Sequence, residues 1–121
     1  MDREQAIKLM QDLLRRVVER AASDLFITAG FPPAVKVDGE IRAQMDRPLS
    51  PEQSAVLVRS IMNDRQSKEF DATKECNFAI APPGIGRFRV SAFVQQGCTG
   101  CVIRVINAKI PSFEELDLPP V

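Results

Sequence analysis

The stretch that decides the fold is GRFRVSAFVQQGCTGCVIRVI, residues 86–106. Apolar residues occupy every second position of its first half, alternating with Arg87 and Arg89, which is the period of a half-buried β-strand. A second run of β-type residues surrounds Arg104, and Gln96-Gly97 separates the two runs as a hairpin turn would. The stretch therefore predicts an antiparallel hairpin with one apolar face.

Arg87 and Arg89 share the other face of the first strand, because they are two residues apart. A turn centred near Gln96-Gly97 places Arg104 on that same face of the partner strand. This prediction depends on register, since a slip of one residue moves a side chain to the opposite face. If the register holds, three guanidinium groups crowd one patch of the sheet.

The charge pattern makes this patch unusual. The whole chain has a net charge of zero, yet residues 76–113 contain four basic residues and no Asp or Glu. Like charges that face each other destabilise a sheet, so an anion is expected nearby. One possibility is a carboxylate from elsewhere in the fold, such as Glu40, Asp64 or Glu69. The other is a phosphate, which arginine binds with two parallel hydrogen bonds.

Outside the hairpin, the pattern predicts helices and further strands. Residues 3–21 carry an apolar stripe at three- and four-residue spacing, with mixed charges on the other face, which indicates a helix packed on a core. Ser50-Pro51-Glu52-Gln53 has the composition of a capping box and starts a second helix. A short helix is expected from Asp64 to just before Thr73. Short strands are expected at 25–28 and 35–37, the second leading into a turn at Asp38-Gly39, and a strand around Phe78 completes a three-stranded meander with the hairpin.

These elements predict a single α/β (α+β) domain with a mostly antiparallel sheet. The chain of 121 residues is long enough for one hydrophobic core. Near its end, Ser112 and Glu115 fit a second capping box that opens a helical turn. The final Leu118-Pro119-Pro120-Val121 is typical of a boundary between domains, so a second domain is expected to follow.

Several kinds of chemistry are excluded by composition. The sequence has no histidine and no G-x-x-x-x-G-K-[ST] phosphate-binding loop. The N-terminus lacks the apolar segment of a signal peptide, and no apolar run could span a bilayer, so a cytosolic protein is expected. Cys98-Thr99-Gly100-Cys101 is a C-x-x-C motif, but it does not open a helix, and Cys76 is the only further thiol. We interpret these residues as small turn and strand residues, with a redox or metal role as the alternative.

Over the whole chain, a series of motifs resembles the N-terminal domain of the type IV pilus retraction ATPases, and the PilU branch more than the PilT branch. The motifs are Ser23-Asp24-Leu25-Phe26-Ile27-Thr28-Ala29-Gly30, Pro32-Pro33, Val37-Asp38-Gly39, Leu49-Ser50-Pro51-Glu52-Gln53, Ile61-Met62-Asn63, Glu75-Cys76-Asn77-Phe78-Ala79-Ile80 and Gly86-Arg87-Phe88-Arg89-Val90-Ser91-Ala92-Phe93.

The resemblance implies a PAS-like domain at residues 1–118, with residues 119–121 beginning a linker to a RecA-like ATPase domain. It implies a homohexamer that drives pilus retraction and twitching motility from the cytoplasmic side of the inner membrane. Its implied partners are the ATPase domain, neighbouring subunits, the sibling retraction ATPase and the inner-membrane platform protein, with no nucleic acid and no transmembrane segment. ATP and Mg²⁺ would bind the whole protein, and this chain alone would be no enzyme.

The resemblance also assigns roles to arginines. Arg89 and Arg104 match two family arginines that contact the phosphates of ATP, and Arg87 is a weaker candidate in the same patch. Two other functions stay open on the sequence alone. One is a free-standing PAS-like binding or interaction module, and the other, ranked last, is a nucleic-acid binder, because the basic segment has only four charges.

Overall fold

The computed structural model describes residues 1–108, which form an antiparallel sheet with helices packed against it. The helices are α1 (Arg3–Glu19), α2 (Pro51–Arg59) and α3 (Asp64–Thr73). The strands are β1 (Asp24–Ile27), β2 (Ala34–Val37), β3 (Glu40–Ala43), β4 (Glu75–Ile80), β5 (Gly86–Gln95) and β6 (Cys98–Ala108). The predicted helical turn at Ser112 and the predicted linker at residues 119–121 lie outside the described residues.

The six strands lie in the order β3-β2-β1-β6-β5-β4, and all neighbours run antiparallel. The predicted meander of β4, β5 and β6 is confirmed. Gln96 and Gly97 form a two-residue turn with φ of 52° and 77°, the backbone that matches the twist of a hairpin. The register places Arg89 directly opposite Arg104. The predicted hairpin and its register are therefore confirmed.

The helices begin where the sequence predicts. At the start of α2, the Ser50 hydroxyl accepts a hydrogen bond from the Gln53 amide at 3.1 Å, and the Gln53 side chain accepts one from the Ser50 amide at 2.9 Å. This reciprocal capping satisfies two amides that have no partner within the helix. Helix α1 ends at Glu19, two residues before the predicted end, and Ala21 beyond it has a left-handed φ of 54°.

The hydrophobic core lies between one face of the sheet and the helices. Strand residues on this inner face are almost completely buried, as are the core residues of α1 and α2. They include Leu25, Ile27, Val35, Phe88, Val90 and Ile103 from the strands and Met10, Leu13, Leu57 and Val58 from the helices. The predicted PAS-like architecture, with helices on one face of an antiparallel sheet, is confirmed.

The opposite face of the sheet is not covered by a helix within residues 1–108. It exposes Ile41 of β3 and Ile106 of β6, together with all three arginines of the hairpin. We call this exposed side of the sheet the open face.

None of the helices in the described part of the chain is both long and apolar enough to cross a membrane.

Candidate functional site: a row of charged residues on the open face

The arginines of the hairpin belong to a row of side chains that runs across four strands. Strand pairing places Lys36 of β2 beside Asp24 of β1, Asp24 beside Arg104 of β6, and Arg104 beside Arg89 of β5. Directly paired residues in adjacent strands have Cβ atoms about 5 Å apart, so each charged group lies next to the following one. We call Lys36, Asp24, Arg104 and Arg89 the charged row.

Asp24 forms an ion pair with Arg104. Its Oδ2 lies 3.5 Å from Nε of Arg104, and the two side chains are 11% and 72% exposed, respectively. The carboxylate is thus largely withdrawn from water, whereas the guanidinium projects into it. The sequence suggested Glu40, Asp64 or Glu69 as partners, and this was wrong.

Those three carboxylates lie elsewhere. Glu40 pairs with Arg42 at 3.1 Å, and within residues 1–108 neither Asp64 nor Glu69 comes within ion-pair distance of a hairpin arginine. The physical reason is strand order, since β1 is the neighbour of β6, whereas Glu40 is on the edge strand β3. Asp24 is therefore a carboxylate partner for the hairpin, but within residues 1–108 it pairs with Arg104 alone among the three arginines.

Arg89 has the opposite surroundings. On one side it faces Arg104, and on the other it faces Ala79 of β4, whose methyl side chain leaves the guanidinium uncovered. Within residues 1–108, no carboxylate lies within 4.0 Å of Arg89. Arg89 therefore adds an exposed positive charge beside Arg104, which is unfavourable for the sheet and favourable for an anion.

Arg87 lies at the margin of this arrangement. It is exposed and pairs with Asn107, because an irregularity in the register separates it from Phe88, which pairs with Val105. Ile106 is the additional residue on β6, and such a bulge increases the local twist. Arg87 shares the open face with Arg89, but it has no direct neighbour in the charged row.

An apolar groove borders the charged row on the same face. It has a volume of about 490 Å³ and contains Phe26, which follows Asp24 on the open side of β1. Phe31 and Ile41 are exposed at this groove, 65% and 67% respectively. The open face thus combines uncompensated arginines with an apolar surface, which suits binding and positioning.

The cysteines of the C-x-x-C motif do not form a joint site. Cys98 and Cys101 both lie in β6, directly after the Gln96-Gly97 turn, and their odd spacing directs them to opposite faces of the strand. Cys101 is completely buried, and burial raises the pKa of its thiol to about 12. Burial, with a smaller contribution from Glu69, also raises the pKa of Cys76. Cys101 is a core residue of the strand.

Comparisons with known proteins were made for the whole chain. No protein-family model matches it. The chain is 51% identical over 111 residues to the type IV pilus ATPase PilU of Pseudomonas aeruginosa and 41% identical over 110 residues to PilT of the same organism. A twitching motility protein of Neisseria gonorrhoeae is 32% identical over 109 residues. These matches cover 90–92% of the chain but only 29–32% of each relative.

A comparison with solved structures also matches the chain to a pilus retraction motor. The pilus retraction motor PilT with bound ADP superimposes with a TM-score of 0.73 and 36% identity, covering 89% of this chain and 32% of that one. The ATPase DotB of Legionella pneumophila shares the fold, with a TM-score of 0.70 at 24% identity, covering 93% of this chain and 32% of that one.

Fold and sequence together define the class: this is an α/β domain that matches the N-terminal domain of the pilus retraction ATPases. Within that class, the chain belongs to the PilT/PilU family of type IV pilus ATPases. Its identity to the PilU relative exceeds that to the PilT relative, as the sequence motifs predicted. The chain spans about a third of the length of these relatives.

Proposed function

We propose that this domain works in a type IV pilus retraction motor, where Arg89 and Arg104 contact the phosphates of ATP held by a nucleotide-binding domain. The observation that carries the proposal is the direct pairing of Arg89 with Arg104 on the open face, with a carboxylate on only one of them. The Cβ atoms of two directly paired residues are about 5 Å apart, so the exposed guanidinium groups of Arg89 and Arg104 can bind neighbouring oxygens of one polyphosphate.

The remaining parts of the proposed motor lie beyond the described residues. We place the domain at residues 1–118 and the start of a linker at 119–121, followed by a RecA-like ATPase domain that holds ATP and Mg²⁺. The assembled protein is a homohexamer on the cytoplasmic side of the inner membrane at the pilus base. Its partners are the sibling retraction ATPase and the platform protein. The relatives named as a pilus ATPase and as a retraction motor support this assignment.

The chemical role of the arginines follows from charge. An arginine on the γ-phosphate stabilises the negative charge that spreads over its oxygens in the transition state, and such arginines accelerate phosphoryl transfer by about 10³- to 10⁵-fold. After hydrolysis, the loss of the γ-phosphate removes these hydrogen bonds. The domain is then released to move against the nucleotide-binding domain, which couples hydrolysis to motion.

Arginine variants of the full-length ATPase test the proposal. Arg89→Ala and Arg104→Ala should each lower ATP turnover by at least about 10-fold while the hexamer stays assembled. Arg42→Ala is the matched control, because Arg42 is an exposed arginine of the same sheet outside the charged row and should keep wild-type turnover. Wild-type turnover in both row variants would remove the phosphate role.

The alternative is a free-standing PAS-like binding module, which the apolar groove of the open face could serve. The gene sequence that follows Val121 separates the two functions. A G-x-x-x-x-G-K-[ST] loop within some tens of codons supports the motor, whereas a stop codon there would contradict it and leave the module as the remaining reading.

A further inference from the structure

Asp24 is the one carboxylate in the charged row, and its environment differs from that of an ordinary surface acid. Its side chain is 11% exposed, and within residues 1–108 its carboxylate has one ion pair, the 3.5 Å contact with Nε of Arg104, and no side-chain hydrogen bond. A carboxylate that is withdrawn from water requires a partner, so Asp24 depends on Arg104. In turn, it restricts where the Arg104 guanidinium can lie.

Within residues 1–108, this contact leaves the two terminal nitrogens of Arg104 without an ion pair of their own. Asp24 approaches Nε, whereas the two terminal Nη nitrogens of the guanidinium are the ones that form the outward fork for a phosphate. The side chain of Arg104 is still 72% exposed. A guanidinium can therefore hold Asp24 with Nε and an external phosphate with its terminal nitrogens at the same time.

Arg89 has no such support among the described residues. Its strand neighbours are Arg104 and Ala79, and neither offers a hydrogen-bond acceptor on its side chain. The two facing arginines are thus unequal, because one is held by a buried carboxylate and the other is free to adjust. An arginine that is held in place loses less conformational freedom when it binds.

We propose that Asp24 is a positioning residue, which orients Arg104 so that its terminal nitrogens meet a nucleotide phosphate. This inference rests on the proposed function, and it adds that the two arginines act in different ways. Arg104 is the preorganised contact, and Arg89 is the adaptable one. Asp24 itself does not touch the nucleotide.

Conservative substitutions distinguish the two arginines without changing a buried residue. Lysine has one compact charge, so in Arg104→Lys the ammonium group can satisfy Asp24 or the phosphate but cannot serve both. Arg104→Lys should therefore lower ATP turnover of the full-length protein about as far as Arg104→Ala does. Arg89→Lys, with no carboxylate beside it, should retain at least about three times the turnover of Arg89→Ala. Equal retention by the two lysine variants would overturn the proposal.

Substitution of Asp24 gives a second test. Asp24→Asn should lower kcat for ATP by about 10-fold, with a smaller change in KM, because the misplaced contact matters most in the transition state. Asp24→Glu, which keeps the charge, should restore most of the activity. In the Arg104→Ala background, Asp24→Asn should have no further effect, since a positioning residue acts only through the group it positions. An additive loss in the double variant would show that Asp24 acts by another route.

A measurement on the 121-residue chain separates failure of this inference from failure of the proposed function. The Nε–H proton of Arg104 should exchange with water more slowly than that of Arg89 by NMR, and Asp24→Asn should abolish the difference. If Arg104→Ala lowers turnover while Asp24→Asn leaves both exchange and kcat unchanged, the positioning role is wrong and the phosphate role stands. If Arg104→Ala leaves turnover unchanged, the positioning role is wrong whatever the exchange rates show, and if Arg89→Ala leaves it unchanged as well, the phosphate role is also wrong.

Discussion

The facing arginines should have opposite effects on the stability of the 121-residue chain. Arg89→Gln removes a positive charge that faces Arg104 and that has no carboxylate partner within residues 1–108. Arg104→Gln removes the ion-pair partner of Asp24 and leaves a largely buried carboxylate with Lys36 as its one directly paired positive neighbour among the described residues. The first change should stabilise the folded chain, and the second should destabilise it.

The magnitudes follow from the environment of each group. Directly opposed like charges in a sheet cost about 0.2–1 kcal/mol, and both guanidiniums are exposed, so Arg89→Gln should raise the free energy of unfolding by about 0.5 kcal/mol. For a domain of this size, that corresponds to an increase in Tm of about 2–3 °C. The Asp24 side chain is 11% exposed. Removing its partner should therefore cost about 1–3 kcal/mol.

Urea unfolding followed by circular dichroism measures both effects, because urea is uncharged and allows the salt concentration to be varied. In 1 M salt the Debye length falls to about 3 Å, so the gain from Arg89→Gln should disappear. Most of the loss from Arg104→Gln should remain, because Asp24 is shielded from solvent. Arg42→Gln, in an exposed pair, should change stability by less than about 0.5 kcal/mol. Destabilisation by Arg89→Gln at low salt, or a neutral Arg104→Gln, would refute this reasoning.

Three further predictions concern buried residues of the hairpin. In the folded chain at pH 8.5, iodoacetamide should label Cys98 but not Cys101, because burial raises the pKa of the Cys101 thiol to about 12. Mass spectrometry of the labelled chain, with and without urea, measures this difference. Equal labelling of both thiols in the folded chain would contradict the prediction. The same shift means that the folded state retains this proton longer than the unfolded state, so stability should fall as the pH rises from about 9 towards 12. Gly100→Ala should lower the free energy of unfolding by about 1–3 kcal/mol, because the new Cβ would lie 2.9 Å from the carbonyl oxygen of Ile27. A Tm equal to that of the unsubstituted chain would contradict this, because it would mean that β1 and β6 move apart at little cost.

The sequence was sufficient to predict the face of the sheet that carries the arginines. Alternation around Phe88 and Val90 defines an apolar face, and burial of that face fixes the register, so Arg89 and Arg104 had to be exposed once the turn was located. The capping box at Ser50 likewise depends on residues within one helical turn. These features are local, which is why sequence alone specifies them.

The partner of Arg104 could not be predicted in this way. Asp24 and Arg104 are brought together by the pairing of β1 with β6, two strands that are far apart in the sequence. Alternation shows that Asp24 lies on the face opposite Leu25, but it gives no information on the neighbouring strand. The bulge at Ile106 was missed for the same reason, since it arises only when β5 and β6 are paired over their full length.

The position of the one carboxylate in the charged row would let this sheet be stable and also bind an anion, as proposed. A second acid next to Arg89, in place of Ala79, would remove the repulsion and would also occupy the guanidinium that an external phosphate needs. With Asp24 alone, one arginine is held, its neighbour is free, and the charged row keeps an excess of positive charge. The cost of about 0.5 kcal/mol is small beside the 5–15 kcal/mol that stabilise an ordinary domain, so the fold can tolerate it. Arg89→Gln should therefore stabilise the chain and at the same time lower ATP turnover. Both effects have one cause, because the repulsion between Arg89 and Arg104 weakens the sheet and would be relieved when a phosphate binds.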